Sequence, residues 1–202
     1  MGRNTLLLLA MVLAAVCAMP RAAQADERIG EVSGLTGPVV VIRGDTPAAL
    51  FLGAAIHSGD FVRTMEGAKL SIAFDDGSEL VLGADSQVSM TQFAPEEGEG
   101  VFDLLEGILR VAIQRAGDWR RFTVGTRHAV ASARSTEWVM DLTREGTAAF
   151  VVEGRIAVRA AGQEVLLAAG EGVDVAPDEA PGPPTEWGAA RVDEVLARTT
   201  LP

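Results

Sequence analysis

The stretch Phe74 to Leu82 reads FDDGSELVL. Asp75, Asp76 and Glu79 lie within five residues of one another, beside Gly77 and Ser78. Carboxylates this dense can hold calcium, or divide general-acid and general-base work between them. Calcium loops space their ligands as D-x-[DN]-x-[DN]-G, and DDGSE lacks that spacing. Asp-Gly between two alternating apolar runs carries a different meaning. Leu70, Ile72 and Phe74 alternate before it and Leu80 and Leu82 after it, the pattern of a β-hairpin turning at Asp76-Gly77. A two-residue type I′ turn needs positive φ at both central positions, which aspartate tolerates and glycine prefers. The cluster is therefore expected to be a hairpin tip, with Asp75 and Glu79 beside the turn and facing solvent.

Other reactive groups are sparse. His57 and His128 are the two histidines. His57 and Asp60 stand three apart in HSGD, but Ser58-Gly59 reads as a turn, so the spacing does not place them on one helical face. Each histidine is expected as a surface or half-buried ring with a hydrogen bond. No serine sits in G-x-S-x-G, no G-x-x-x-x-G-K occurs, and GEGVFD stops short of G-x-G-x-x-G. Tyrosine is absent and Trp119, Trp138 and Trp187 are scattered, which argues against an aromatic platform for sugars. Among 28 acids no pair is singled out for glycoside chemistry. The expectation is a non-enzymatic chain with no catalytic, cofactor-binding or metal-binding residues and no cofactor.

The N-terminus reads as a targeting segment. Arg3 precedes the apolar run TLLLLAMVLAAVCAM from Thr5 to Met19, Pro20 breaks it, and Ala23 and Ala25 occupy the small-residue positions of a cleavage site. Residues 1–25 are expected to be a secretory signal peptide cut after Ala25; the run is short for a membrane span of about 20 residues. Cleavage removes Cys17, the sole cysteine, and with it any disulfide, thiolate nucleophile or thiolate metal ligand. It also removes Arg3 and Arg21 and no acid, taking the net charge from −11 to −13. A chain this acidic is not built to bind nucleic acid or anionic lipid by bulk electrostatics. No membrane span is expected once the signal is cut, and the location expected is the periplasm.

The elements that must carry these residues are short strands. VVVI (39–42), KLSIAF (69–74), ELVL (79–82), QVSMTQF (87–93), ILRVAI (108–113), RFTV (121–124), EWVMDL (137–142), AAFVV (148–152), RIAV (155–158) and EVLL (164–167) all read as strands, several with period two. No window from 30 to 176 sustains a helical apolar period, so residues 26–176 are expected to form one all-β domain. TGPVVV, EGILRV and EGRIAV form a faint repeat spaced by 70 and 47 residues. The last two read as strand, Glu-Gly turn, strand, and the unequal spacing suits stacked hairpins better than a strict solenoid. APDEAPGPPTE (176–186) holds four prolines and three acids, an extended linker over 177–186. Residues 187–202 are expected to hold a short helix and tail. Val192, Val195, Leu196 and Thr199 share its apolar face and Thr185 is its expected N-cap. About 12 residues are marginal as an isolated helix, so it is expected to dock on the β domain or on a partner.

The order of turns and strands from about Gly30 to Glu171 resembles the periplasmic domain of the FecR family. The most specific part is Leu52-Gly53, Gly59-Asp60, Thr64, a strand, Asp76-Gly77-Ser78 and a second strand. LLEGILRVAI, FTVGTRHAVASARSTEWVM, GTAAFVVEGRIAV and LLAAGEGVDV continue the series. Ser135-Thr136 departs from the family's Gly-Thr, and a tighter or less left-handed turn is expected there. The resemblance implies an elongated, hairpin-rich all-β fold, sandwich or solenoid-like, with a short C-terminal helix, and a place in the envelope. The anti-sigma and transmembrane parts of the iron-uptake regulators find no match in the sequence, so sigma-factor control is not carried over.

Two functions follow as expectations. The first is a non-catalytic interaction or signalling module that binds an envelope protein through a strand edge or sheet face, with SARSTEW and the C-terminal helix as candidate contacts. The alternative is a structural or assembly component of an envelope, secretion or surface-polysaccharide system, and a hydrolase ranks behind both.

Overall fold

The computed structural model describes residues 27–94, 98–114, 121–133 and 135–201. The signal-peptide reading over 1–25, and Trp119, lie outside these residues. The strands in chain order are β1 (Arg28–Thr36), β2 (Val39–Arg43), β3 (Thr46–Ala49), β4 (Ala55–His57), β5 (Phe61–Thr64) and β6 (Lys69–Phe74). They continue as β7 (Glu79–Leu82), β8 (Gln87–Ala94), β9 (Glu99–Ala112), β10 (Arg121–Gly125), β11 (Val130–Ala133) and β12 (Glu137–Leu142). Last come β13 (Thr147–Glu153), β14 (Arg155–Ala160), β15 (Gln163–Ala168), β16 (Glu171–Val175), β17 (Thr185–Glu186) and, as the one helix among the described residues, α1 (Ala189–Arg198). The all-β expectation holds, and the ten strands read from sequence all form. The seven further ones are mostly segments of two to five residues, too short to show a period.

The strands form two sheets. The front sheet runs β4-β1-β6-β7-β9-β12-β13-β16-β17. The back sheet runs β3-β2-β5-β8-β9-β10-β11-β14-β15. Neighbours are antiparallel except β9 and β10. Strand order in both sheets closely follows chain order, so the chain winds back and forth between them and climbs as it goes. The fold is thus both readings at once, a sandwich in section and a solenoid along its length.

Strand β9 belongs to both sheets. Residues up to Glu106 pair with β8, and from Gly107 onward the strand pairs with β7 and β12. Gly107 sits at the corner with φ +80, and a Cβ there would stand 2.3 Å from Ser86 Oγ and 2.8 Å from the Asp85 carbonyl. Only glycine meets both demands. This corrects the hairpin reading of the repeat. β9 continues straight through EGILRV, while EGRIAV joins β13 of the front sheet to β14 of the back sheet at Gly154, φ +87. TGPVVV likewise joins β1 to β2 across the sheets at Gly37. The three repeated glycines are sheet-crossing corners, not hairpin tips. A local pattern of apolar, glycine, apolar looks the same in both cases.

One apolar core fills the space between the sheets. Phe74 of the front sheet stacks on Phe93 of the back sheet at 4.9 Å between ring centroids. Phe102 and Phe122 stack at 4.9 Å, and Phe122 meets the fully buried Trp138 edge-on at 5.9 Å. The line of rings ties the two sheets through geometries that aromatic quadrupoles favour.

The front sheet has a second apolar patch on its outer face, made of Ile108, Val139 and Phe150, and α1 covers it with Val195. Val192, Leu196 and Trp187 pack around the contact, and Trp187 stacks on Phe150 at 4.9 Å. The helix therefore docks on its own domain with the apolar face read from its spacing. Its start differs from the expectation. Gly188 is the N-cap and makes no side-chain cap bond, whereas Thr185 lies in β17, paired with Gly172 of β16. Trp187 is anchored on Phe150 before the helix begins, which pushes the first turn beyond Thr185. Among the described residues no helix is long and apolar enough to cross a membrane.

Candidate interaction edge

The acids of DDGSE are brought together and each is engaged. Gly77 N–H donates to the Phe74 carbonyl at 2.9 Å, and Phe74 N–H donates to the Ser78 carbonyl at 2.9 Å. Gly77 has φ +85, and Asp76 is not among the positive-φ residues. The tip is therefore a three-residue turn closed by a left-handed glycine, which corrects the type I′ assignment. The extra residue is Asp75, whose carboxylate takes both oxygens' worth of contact from Arg28 Nη1 at 3.0 and 3.1 Å. Asp76 accepts from the Ser78 N–H at 3.0 Å and the Ser78 hydroxyl at 2.8 Å, and Glu79 accepts from the Ser71 hydroxyl. Glu79 and Asp75 are thus partnered at the surface instead of standing free in solvent. The carboxylates hold a turn and present no open pair to a substrate.

His57 and Asp60 also meet, but not as a site for an ion. Asp60 is fully buried and accepts from Arg43 Nε and Nη2, both at 2.8 Å, and from the His57 backbone N–H at 2.9 Å. His128 accepts a bond from Arg127 Nε at 3.1 Å and lies 3.3 Å from Thr147 Oγ1. Among the described residues no three of His, Cys, Asp and Glu are grouped to hold a metal.

Neither proposed contact element is free. SARSTEW leads into β12, which is paired on both sides by β9 and β13. Ser135 does not adopt positive φ, and Thr136 Oγ1 instead donates to the Arg155 carbonyl at 2.9 Å, sealing the corner. The helix spends its apolar face on the front sheet.

Among the described residues the open positions are the sheet ends. In the front sheet these are β4 and β17, of three and two residues. In the back sheet they are β3 and β15. β3 carries Pro47, which has no N–H and blunts that edge. β15 has six residues and no proline. It leaves β14 through a two-residue turn with Ala161 at φ +46 and Gly162 at φ +75, so Ala160 and Gln163 form the first hydrogen-bonded pair. Alternation then turns the main-chain groups of Val165 and Leu167 toward β14 and those of Glu164, Leu166 and Ala168 outward. Ala168 confirms the phase, since its N–H donates to Glu171 Oε2 at 2.7 Å and not to β14. Leu166 is 68 % exposed, on the outer face. Leu167 is buried and Val165 packs against the core. The edge thus offers the N–H and C=O of Glu164 and Leu166 beside an exposed leucine. No pattern in EVLL distinguishes an edge strand from an interior one, which is why the sequence pointed elsewhere.

The chain resembles the FecR family: the family model described as FecR protein matches residues 60–157. Two crystal structures of a candidate anti-sigma factor from Parabacteroides distasonis share the fold, each at 19 % identity and a TM-score of 0.58. Each alignment covers 67 % of this chain, and 63 % and 64 % of the two solved chains, so this chain spans less than two thirds of their length. No curated protein matches the sequence.

Proposed function

We propose that this protein is a non-catalytic interaction module of the cell envelope that binds a partner protein by adding one of the partner's strands to β15. The carrying observation is the outward main chain of Glu164 and Leu166 on an edge without proline. A strand laid there makes four main-chain hydrogen bonds and continues the back sheet. Leu166 supplies an exposed apolar contact on one face. Most other sheet ends are very short or carry Pro47, which leaves β15 as the best template.

The family likeness and the fold shared with a candidate anti-sigma factor support a role in signalling between proteins. Residues 1–25 support delivery to the periplasm, which N-terminal sequencing of the fractionated protein tests: a mature start at Asp26 in the periplasmic fraction is expected, and an intact Met1 overturns it.

Photo-crosslinking in cells tests the edge. A photoreactive residue at Gln163 is expected to trap one reproducible partner, with the same residue at Glu31 on β1, inside the front sheet, trapping none. Equal labelling from both positions, or none from either, overturns the proposal.

A further inference from the structure

The hairpin loops between β10 and β11 and between β12 and β13 both open with Thr-Arg, as Thr126-Arg127 and Thr143-Arg144. They are bonded to each other. Arg127 Nη2 donates to the Thr143 carbonyl at 2.6 Å, and the Thr126 and Thr147 hydroxyls lie 2.9 Å apart. Arg127 Nε donates to His128 Nε2, which leaves the imidazole proton on Nδ1, facing Thr147 Oγ1. The Arg127 guanidinium is thus oriented by two bonds that use only part of its five donors.

Both arginines line a cleft of about 590 Å³ at the Gly107 corner, together with Arg198, Leu105, Asp85 and Glu106. Arg198 is already matched by Asp141, and Glu106 accepts from Gln87 Nε2 at 2.7 Å. Arg28, Arg43, Arg110, Arg159 and Arg191 likewise have acidic partners. Among the described residues Arg63, Arg127, Arg144 and Arg155 have none, and of these Arg127 and Arg144 share this cleft. In a chain of net charge −11, two arginines without acids, held on neighbouring turns of one cleft, are conspicuous by their pairing alone. Beside them Leu105 is 47 % exposed.

We infer that this cleft binds an acidic peptide segment, two carboxylates taken by Arg127 and Arg144 with a neighbouring apolar side chain on Leu105. Planar guanidinium groups match carboxylates in bidentate geometry, which lysine would not supply. The inference deepens the reading of the chain as an interaction module and rests on it for the partner's being a protein. It does not depend on β15.

The test is a titration of the purified protein with acetyl-Glu-Leu-Glu-Glu-amide, followed by proton–nitrogen correlation spectra that include the arginine Nε–H signals. The Gln-Leu-Gln-Gln counterpart and inorganic phosphate are run in parallel. The acidic peptide is expected to move the signals of Leu105, Arg127 and Arg144. Arg127→Gln with Arg144→Gln is expected to weaken it at least tenfold in a protein that still melts cooperatively, with a small fall in melting temperature from the lost Arg127 bonds to Thr143 and His128, and Arg155→Gln, at the opposite corner, to leave binding unchanged. Asp85 has φ +52, which asparagine tolerates, so Asp85→Asn removes the opposing charge without disturbing the backbone and is expected to tighten binding several-fold. Equal binding of the uncharged peptide, indifference to the double substitution, or no movement at millimolar acidic peptide each overturns the cleft assignment. Phosphate binding as tight as the peptide overturns its selectivity for peptides. None of these results bears on crosslinking at β15, so the two proposals fail separately.

Discussion

Arg43 and Asp60 form a bidentate pair in which the acid is fully buried and the arginine side chain is 41 % exposed. The asymmetry decides what each substitution costs. Asp60→Asn keeps an acceptor for the His57 N–H and frees an arginine that can reach water. Arg43→Ala leaves a buried carboxylate with one of its three hydrogen bonds, the one from the His57 N–H. A buried charge stripped of its mate costs about 3–5 kcal/mol, whereas losing one charged hydrogen bond costs about 1.5–3 kcal/mol. Urea denaturation is therefore expected to rank Arg43→Ala as the more damaging change. The reverse order would mean that the pair is not what holds the corner between β4 and β5.

Glycines with positive φ differ in how much space surrounds them. Gly107 is crowded by Ser86 and Asp85, while Gly44, φ +57, has nothing within 4 Å of its Cβ position. Gly44→Ala should cost only the left-handed penalty, about 1–2 kcal/mol. Gly107→Ala carries that penalty and must also push Ser86 away from its bonds to Ile108, whose N–H donates to Ser86 Oγ at 3.0 Å. Thermal melts should show a clearly larger drop for Gly107→Ala, and equal drops would remove Gly107 as the pivot of β9.

The sequence carried the strands well because a buried face every second residue leaves a periodic trace, as at Leu70, Ile72 and Phe74. It also carried the helix face, Val192, Val195 and Leu196. It could not carry sheet membership. Gly154 and Gly77 each follow an apolar strand, but one passes the chain to the other sheet and the other turns it back in the same sheet. What separates them is the neighbour each must clear, Thr136 in one case and solvent-side Gln114 in the other, and those are distant in the chain. The open edge was hidden for the same reason. Whether Glu164 and Leu166 have partners depends on which strand ends the sheet, not on the residues themselves.

Helix α1 has 10 residues, too few to persist without docking. Its fixings are identifiable. Val195 enters the outer patch, Arg198 pairs with Asp141, and the single lysine, Lys69, donates to the carbonyls of Ala197 and Thr200, both at 2.6 Å. Val195→Asp places a charge against Ile108, Val139 and Phe150 and should release the helix while the core between the sheets persists. Hydrogen exchange is expected to show α1 amides unprotected in the variant and strand amides such as Val111 still slow. Simultaneous loss of both would show that the helix is integral to the sandwich.

Leu166→Pro separates partner binding from folding. The Leu166 N–H points away from β14, so proline there removes no ladder bond of the β14–β15 hairpin. It does remove one of the four bonds offered to an incoming strand, and its ring obstructs that strand's approach. The contrast is Leu167→Pro, one residue along, where the N–H faces β14 and the side chain is fully buried. Leu167→Pro should destabilise by about 3 kcal/mol or more. Leu166→Pro should change stability by less than about 1 kcal/mol, since the substituted residue is exposed. In crosslinking from Gln163 the partner band should vanish in Leu166→Pro even though the protein folds. A band of unchanged strength in a folded Leu166→Pro protein would mean that the partner does not use the main chain of β15.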